Sequence, residues 1–135
     1  KKIKRLNKRN ITPILSSESC EDIKVINYVY KDYIHSYDYR NRFLGTHYFK
    51  KLNSSYKKKI IFMNISDVGN KKGPNFSYLR GMFKHSDAEY YVGGGVKSIL
   101  DLHKLSKMNI SGAIVSSILM SKKTNNYVIK KRASR

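Results

Sequence analysis

The chain has no tryptophan, one cysteine and two prolines among its 135 residues. A single thiol, Cys20, excludes an internal disulfide and any cysteine-built metal cluster. Cys20 itself reads as a small residue in a helix or loop rather than as a nucleophile. No apolar run reaches membrane-spanning length, and the basic start lacks the apolar stretch of a signal peptide. The expectation is a cytoplasmic protein with no membrane partner. Acid is scarce as well, with nine Asp+Glu against 28 Lys+Arg and a formal charge of +19.

What is present begins with the placing of that charge. Residues 1–10 carry six Lys/Arg and no acid, and residues 122–135 carry six more and no acid. Residues 11–121 hold the other 16 basic and all nine acidic residues. Three parts follow: a basic segment at 1–10, a body at 11–121 and a basic tail at 122–135. A large positive excess is the usual footprint of a nucleic-acid binder. Like-charge runs at the ends of a chain read instead as solvated tails, through which nucleic acid could be engaged. The body lacks the aromatic and basic interleaving of RNA-binding modules. Its modest positive charge also suits a phosphorylated small molecule. Hydrophobic content of 40% is enough for one core, and the length suits one domain. The first residue is Lys1 rather than methionine, as in a fragment or a processed product.

The body alternates strand and helix signals. Residues 11–15 read as a strand with Pro13 near its start. Ser16, Ser17 and Ser19 offer N-cap groups for a helix over 20–28. Residues 32–38 read as a strand and a polar loop follows through Arg42, with a partly helical stretch over 43–56. The run Lys59-Ile60-Ile61-Phe62-Met63-Asn64-Ile65 is nearly all apolar, as in a strand buried on both faces of a parallel sheet. A loop over 67–75 contains Gly69, Gly73 and Pro74, and 76–85 looks helical. Residues 88–92 form a further strand, 98–108 a helix with Ile99, Leu102 and Leu105 on one face, and 112–115 a last strand. Ser98 and Asp101 have the spacing of a capping pair. No Asn-Gly type hairpin signal joins neighbouring strands. The pattern is an α/β fold of parallel strands alternating with helices.

The sharpest feature is Tyr91-Val92-Gly93-Gly94-Gly95-Val96. A strand enters three glycines and an amphipathic helix leaves them. Glycine lets the backbone approach a ligand closely, and a new helix directs N–H groups and its positive dipole end toward it. That arrangement suits a phosphate, although glycines at that spacing also occur in plain connecting loops.

Three motifs in order carry a resemblance: Ile65-Ser66-Asp67-Val68-Gly69-Asn70-Lys71-Lys72-Gly73-Pro74-Asn75, the glycine strand, and Gly112-Ala113-Ile114-Val115-Ser116-Ser117-Ile118-Leu119. Together they resemble the C-terminal half of the histidine-biosynthesis barrel family. That family includes the ProFAR isomerase and the cyclase subunit of imidazole glycerol phosphate synthase. The likeness covers residues 11–121 as fourth to eighth strands and looks most like the isomerase-related proteins of archaea.

The resemblance implies the C-terminal half of a TIM (βα)8 barrel with its site at the C-terminal ends of the strands. It implies an Amadori-type aldose–ketose isomerisation of a phosphoribosyl amine, by one general acid and one base and with no metal or redox cofactor. Asp38 falls where the family places its fifth-strand carboxylate, a general acid or base; as a bare residue it reads as an exposed loop-start aspartate or a partner of Arg40 or Arg42. Gly93, Gly94, Gly95, Ser116 and Ser117 match the phosphate cup, although the family usually has glycine at the place of Ser116. Asn64, Gly69 and Gly73 fall on the substrate loop. A Thr-Asp pair of the isomerases is replaced by Met63-Asn64, and the acid of their following Asp-Gly turn by Val68. These departures point to a divergent relative with another substrate. The first-strand carboxylate and the other phosphate grip have no counterpart, so an N-terminal half-barrel partner or self-association is expected for catalysis. A basic nucleic-acid-binding protein and a non-catalytic remnant of the barrel stand as the other readings.

Overall fold

A computed structural model describes residues 12–20, 33–45, 59–70, 72–82, 88–116 and 118–119. The strands are β1 (Ile14–Ser16), β2 (Ile34–Arg40), β3 (Arg42–Leu44), β4 (Lys59–Asn64), β5 (Glu89–Gly93) and β6 (Gly112–Ile114). A single 3-10 turn, Ile65–Asp67, follows β4. Helix α1 (Phe76–Met82) precedes β5, and helix α2 (Ile99–Ser106) lies between β5 and β6.

Five strands pair in parallel in the order β1-β2-β4-β5-β6. This is the order of parallel strands that their spacing predicts, with helices described between β4 and β5 and between β5 and β6. Among the described residues five parallel strands are too few to close an eight-stranded barrel, and the sheet is open at both ends. Its outermost strands carry exposed isoleucines, Ile14 on β1 at 57% and Ile114 on β6 at 44%.

The apolar run of β4 is buried on both faces, with Ile60, Ile61 and Phe62 all inside. Alternation along the strands then divides the faces. Tyr37, Ile60, Phe62, Tyr90 and Val92 form one core cluster with Val96 and with Leu79 and Leu105 of the two helices. Aromatic rings fill its centre, Phe62 lying 5.7 Å from Tyr90 and 5.8 Å from Tyr37 between centroids. The opposite face carries the row Asp38, Met63, Gly93 and Ile114, each paired with the next across the sheet.

One expectation is overturned. Arg42, expected to end a loop, and Phe43 and Leu44, expected to begin a partly helical stretch, form strand β3, antiparallel to β2 with Asp38 opposite Leu44 and Arg40 opposite Arg42. The hairpin turns at Asn41, whose φ of 56° is the left-handed conformation that asparagine tolerates better than most residues. β1 and β3 therefore share one edge of β2, at residues 34–36 and 38–40 respectively. Residues 21–28 of the helix expected over 20–28, and residues 46–56 of the partly helical stretch expected over 43–56, lie outside the described residues, as do both basic tails. Among the described residues no helix is long and apolar enough to cross a membrane.

Candidate functional site

Asp38 lies within β2, two residues before its end, rather than closing the strand. It is 4% exposed and has no ion pair with Arg40 or Arg42 among the described residues. Serine hydroxyls take its carboxylate instead. Ser36 Oγ donates to Oδ1 at 2.8 Å, and Ser16 Oγ donates to Oδ2. The backbone N–H of Glu18 donates to Oδ2 at 3.0 Å, with Ser17 Oγ at 3.4 Å. Ser17 Oγ also accepts from the N–H of Asp38 at 2.9 Å. Ser16 and Ser17, expected as helix N-caps, thus serve this carboxylate with their hydroxyls. Two adjacent serines at the end of a strand are the trace that the sequence offered. Ser36 left no trace beyond being two residues from Asp38, on the same face of the strand.

The glycine turn stands at the C-terminal end of β5 as expected. A Cβ on Gly94 would collide with the carbonyl oxygen of Asn64, and Gly94 has φ +88°. A Cβ on Gly95 would come 2.8 Å from Gly73 O at φ +79°. These two positions require glycine both for backbone conformation and for close approach. The Gly73 N–H donates to Gly95 O at 3.1 Å, and Lys97 Nζ donates to Lys72 O at 3.3 Å. The Gly-Pro loop is thereby strapped onto the glycine turn.

The helix after the turn offers fewer N–H groups than its sequence suggests. Ser98 and Asp101 form the capping box: Asp101 N–H donates to Ser98 Oγ, and Ser98 N–H to Asp101 Oδ2 at 3.1 Å. Asp101 Oδ2 also takes the N–H of Lys97 at 3.2 Å. Two N–H groups at the start of α2 are therefore already engaged by a carboxylate. Those of Gly95 and Val96 donate to nothing among the described residues.

Around this turn opens a cavity of about 350 Å3, lined by Met63, Asp67, Val68, Gly69, Gly94, Gly95, Val96, Ile114, Val115 and Ser116. It brings together the glycine turn, Gly69 and Ser116. Ser116 is exposed, and its carbonyl accepts from Leu119 N–H at 3.0 Å. Ser117 lies outside the described residues. Asn64 turns its Nδ2 to Asp67 Oδ2 at 2.6 Å, while its buried Oδ1 meets no donor among the described residues. Neither Asp38 nor Asn64 lines the cavity. Asp38 stands two strands from Gly93 in the same row, with Met63 between them. Among the described residues no group of three or more His, Cys, Asp or Glu is placed to hold a metal ion.

Two curated relatives are 1-(5-phosphoribosyl)-5-((5-phosphoribosylamino)methylideneamino) imidazole-4-carboxamide isomerases. That of Clostridium acetobutylicum is 42% identical over 66 residues, covering 49% of this chain and 28% of the relative. That of Clostridium novyi is 38% identical over 81 residues, covering 60% and 33%. An uncharacterized protein of Methanocaldococcus jannaschii is 24% identical over 119 residues, covering 87% of this chain and 52% of its own length. The chain thus spans about a third of the clostridial isomerases that it matches. The model of the family described as "Histidine biosynthesis protein" matches residues 20–125, most of the chain, and with its parallel α/β sheet the chain belongs to that histidine biosynthesis family.

Proposed function

We propose that this chain supplies the C-terminal, phosphate-gripping part of a barrel site that takes a phosphorylated small molecule of the phosphoribosyl type. The observation that carries the reading is the glycine turn. It lies at the C-terminal end of β5, opens into the cavity, and presents the N–H groups of Gly95 and Val96 without an internal acceptor among the described residues. Such N–H groups ahead of a helix suit an anion. The names of the clostridial relatives give the phosphoribosyl class and the isomerase reaction.

Joined to the remaining strands, whether from a separate N-terminal half or by association with another chain, the site would carry out aldose–ketose isomerisation. Asp38 is the carboxylate for proton transfer between adjacent carbons. Its serine donors hold the orientation of the carboxylate. Ser117 belongs to the same proposal as a phosphate-binding residue.

The test is a titration of the 135-residue chain with a phosphoribosyl ligand, read at the backbone amides of Gly93, Gly94 and Gly95. Shifts that saturate at millimolar ligand are expected, and their absence would sink the phosphate reading. For the reaction, the chain is mixed with a supplied N-terminal half-barrel. Isomerisation that is lost on Asp38→Asn is the expected result, and turnover unaffected by that change would remove Asp38 from the mechanism.

A further inference from the structure

Asp67 ends the 3-10 turn after β4 and is the one charged side chain on the cavity wall among the described residues. Apart from Ser116, its neighbours on that wall are glycine or apolar. Asp67 is half-buried and packs against the glycine turn: a Cβ on Gly95 would come 3.0 Å from Asp67 Cβ. Its two carboxylate oxygens stand differently. Oδ2 accepts from Asn64 Nδ2 at 2.6 Å. Oδ1 meets no hydrogen-bond donor and no cation among the described residues.

A carboxylate only accepts, so the nitrogen of the Asn64 amide is the end that faces it. That bond runs from the last residue of β4 to the turn and holds the carboxylate in place beside the Gly95 and Val96 N–H groups. A charged oxygen on an apolar wall costs free energy until a donor reaches it. The phosphate of a monoester dianion has no proton to give, and its charge is repelled by this one. A sugar joined to the phosphate brings hydroxyl donors to the same place. Hydrogen bonds from a hydroxyl to a carboxylate are about twice as strong as neutral ones. One side chain then both penalises the bare anion and rewards the hydroxylated one, the two halves of a specificity device.

We propose that Asp67 is a ligand-binding residue of this cavity, whose Oδ1 accepts from the sugar hydroxyls of a phosphoribosyl-type ligand. The proposal rests on the phosphate-binding reading above, and not on isomerase activity or on Asp38. It deepens that reading by naming the group that tells a phosphorylated sugar from other phosphate monoesters.

The experiment compares two probes on the full 135-residue chain: ribose 5-phosphate, and tetrahydrofurfuryl phosphate, which has the same ring without hydroxyls. At pH about 8 both are dianions, since the second phosphate pKa is about 6. The readout is the titration of the amide resonances of Gly93 to Val96. If neither probe moves them at millimolar concentration, the phosphate reading falls and this one with it. If they move, ribose 5-phosphate should bind about tenfold tighter than the hydroxyl-free ester. Asp67→Asn keeps an oxygen for Asn64 and removes the charge. It should tighten the hydroxyl-free ester by about threefold and reduce the preference for the sugar to about threefold or less. Equal affinity of the two esters for the unaltered chain overturns the proposal, leaves the phosphate site standing and needs no variant to fold. A variant that changes both affinities by the same factor overturns it as well, since that is the mark of a purely structural Asp67.

Discussion

Ser36 and Asp38 stand two residues apart on β2, and the hydroxyl of the first donates to Oδ1 of the second at 2.8 Å in a fully buried setting. With Ser16, Ser17 and the Glu18 N–H on the other oxygen, the carboxylate ties β1 and its following turn to β2. Asp38 therefore has a structural task whatever its chemistry. Asp38→Ala strands several buried donors and should lower stability by about 3 kcal/mol, and Ser36→Ala by about 1 kcal/mol. Urea denaturation followed by far-UV circular dichroism measures both. A cost near zero for Asp38→Ala would mean that the serine cage does not form.

Gly94 and Gly69 both have positive φ, at +88° and +80°, but only Gly94 faces a neighbour, the Asn64 carbonyl. Gly69→Ala meets nothing within 4 Å and should cost about 1 kcal/mol, the conformational penalty alone. Gly94→Ala adds a backbone collision that neither strand can relieve, and should cost about 3 kcal/mol or more. Thermal melts of the two variants side by side would separate these causes. Equal costs would show that close approach to β4 contributes nothing.

The strand order was readable because each strand carries an apolar run of its own. Ile60-Ile61-Phe62, buried without a break, is the clearest case. The Ser98–Asp101 cap was readable because it is local in sequence and forms as written. The cage around Asp38 was not readable, because Ser16 and Ser17 lie 22 and 21 residues away and meet it only through the β1–β2 register. The β2–β3 hairpin was missed for a different reason. Its turn is a single left-handed asparagine, Asn41, with no glycine beside it. Engagement of the Lys97 and Ser98 N–H groups followed from the same cap that the sequence displayed, yet its effect on the anion site became visible only in the geometry.

That effect gives a prediction with opposed directions. Asp101 is buried, caps α2 and holds a negative charge beside the glycine turn. Asp101→Asn keeps a carbonyl oxygen for the cap and removes the charge. Stability should fall by about 1 kcal/mol or less, because Ser98 still caps the helix and an amide oxygen can still accept from the Ser98 N–H. Phosphate affinity should rise by roughly threefold as a nearby like charge disappears. Isothermal calorimetry with inorganic phosphate at low salt checks the second half. A fall in affinity would show that the carboxylate organises the turn more than it repels the ligand.

The core tyrosines set the alkaline limit of the fold. Burial, and after it the neighbouring Tyr33 and Tyr90, push the Tyr37 hydroxyl well above its ordinary value of 10.0. Tyr78 is raised as well, by burial first and then by Tyr39, on which it stacks at 4.0 Å. A raised value means that the folded chain holds the proton more tightly than the unfolded one. The resulting stability is fully present below pH 10 and drains away as pH rises through the unfolded value toward the folded one. Each such group contributes a slope of about 1.4 kcal/mol per pH unit in that window. Denaturant midpoints should therefore stay level with respect to these groups from pH 8 to 9.5 and drop steeply above 10. Tyr37→Phe removes the ionisable hydroxyl while keeping the ring against Phe62, and it should flatten the drop. An unchanged slope in that variant would assign the alkaline loss to other groups.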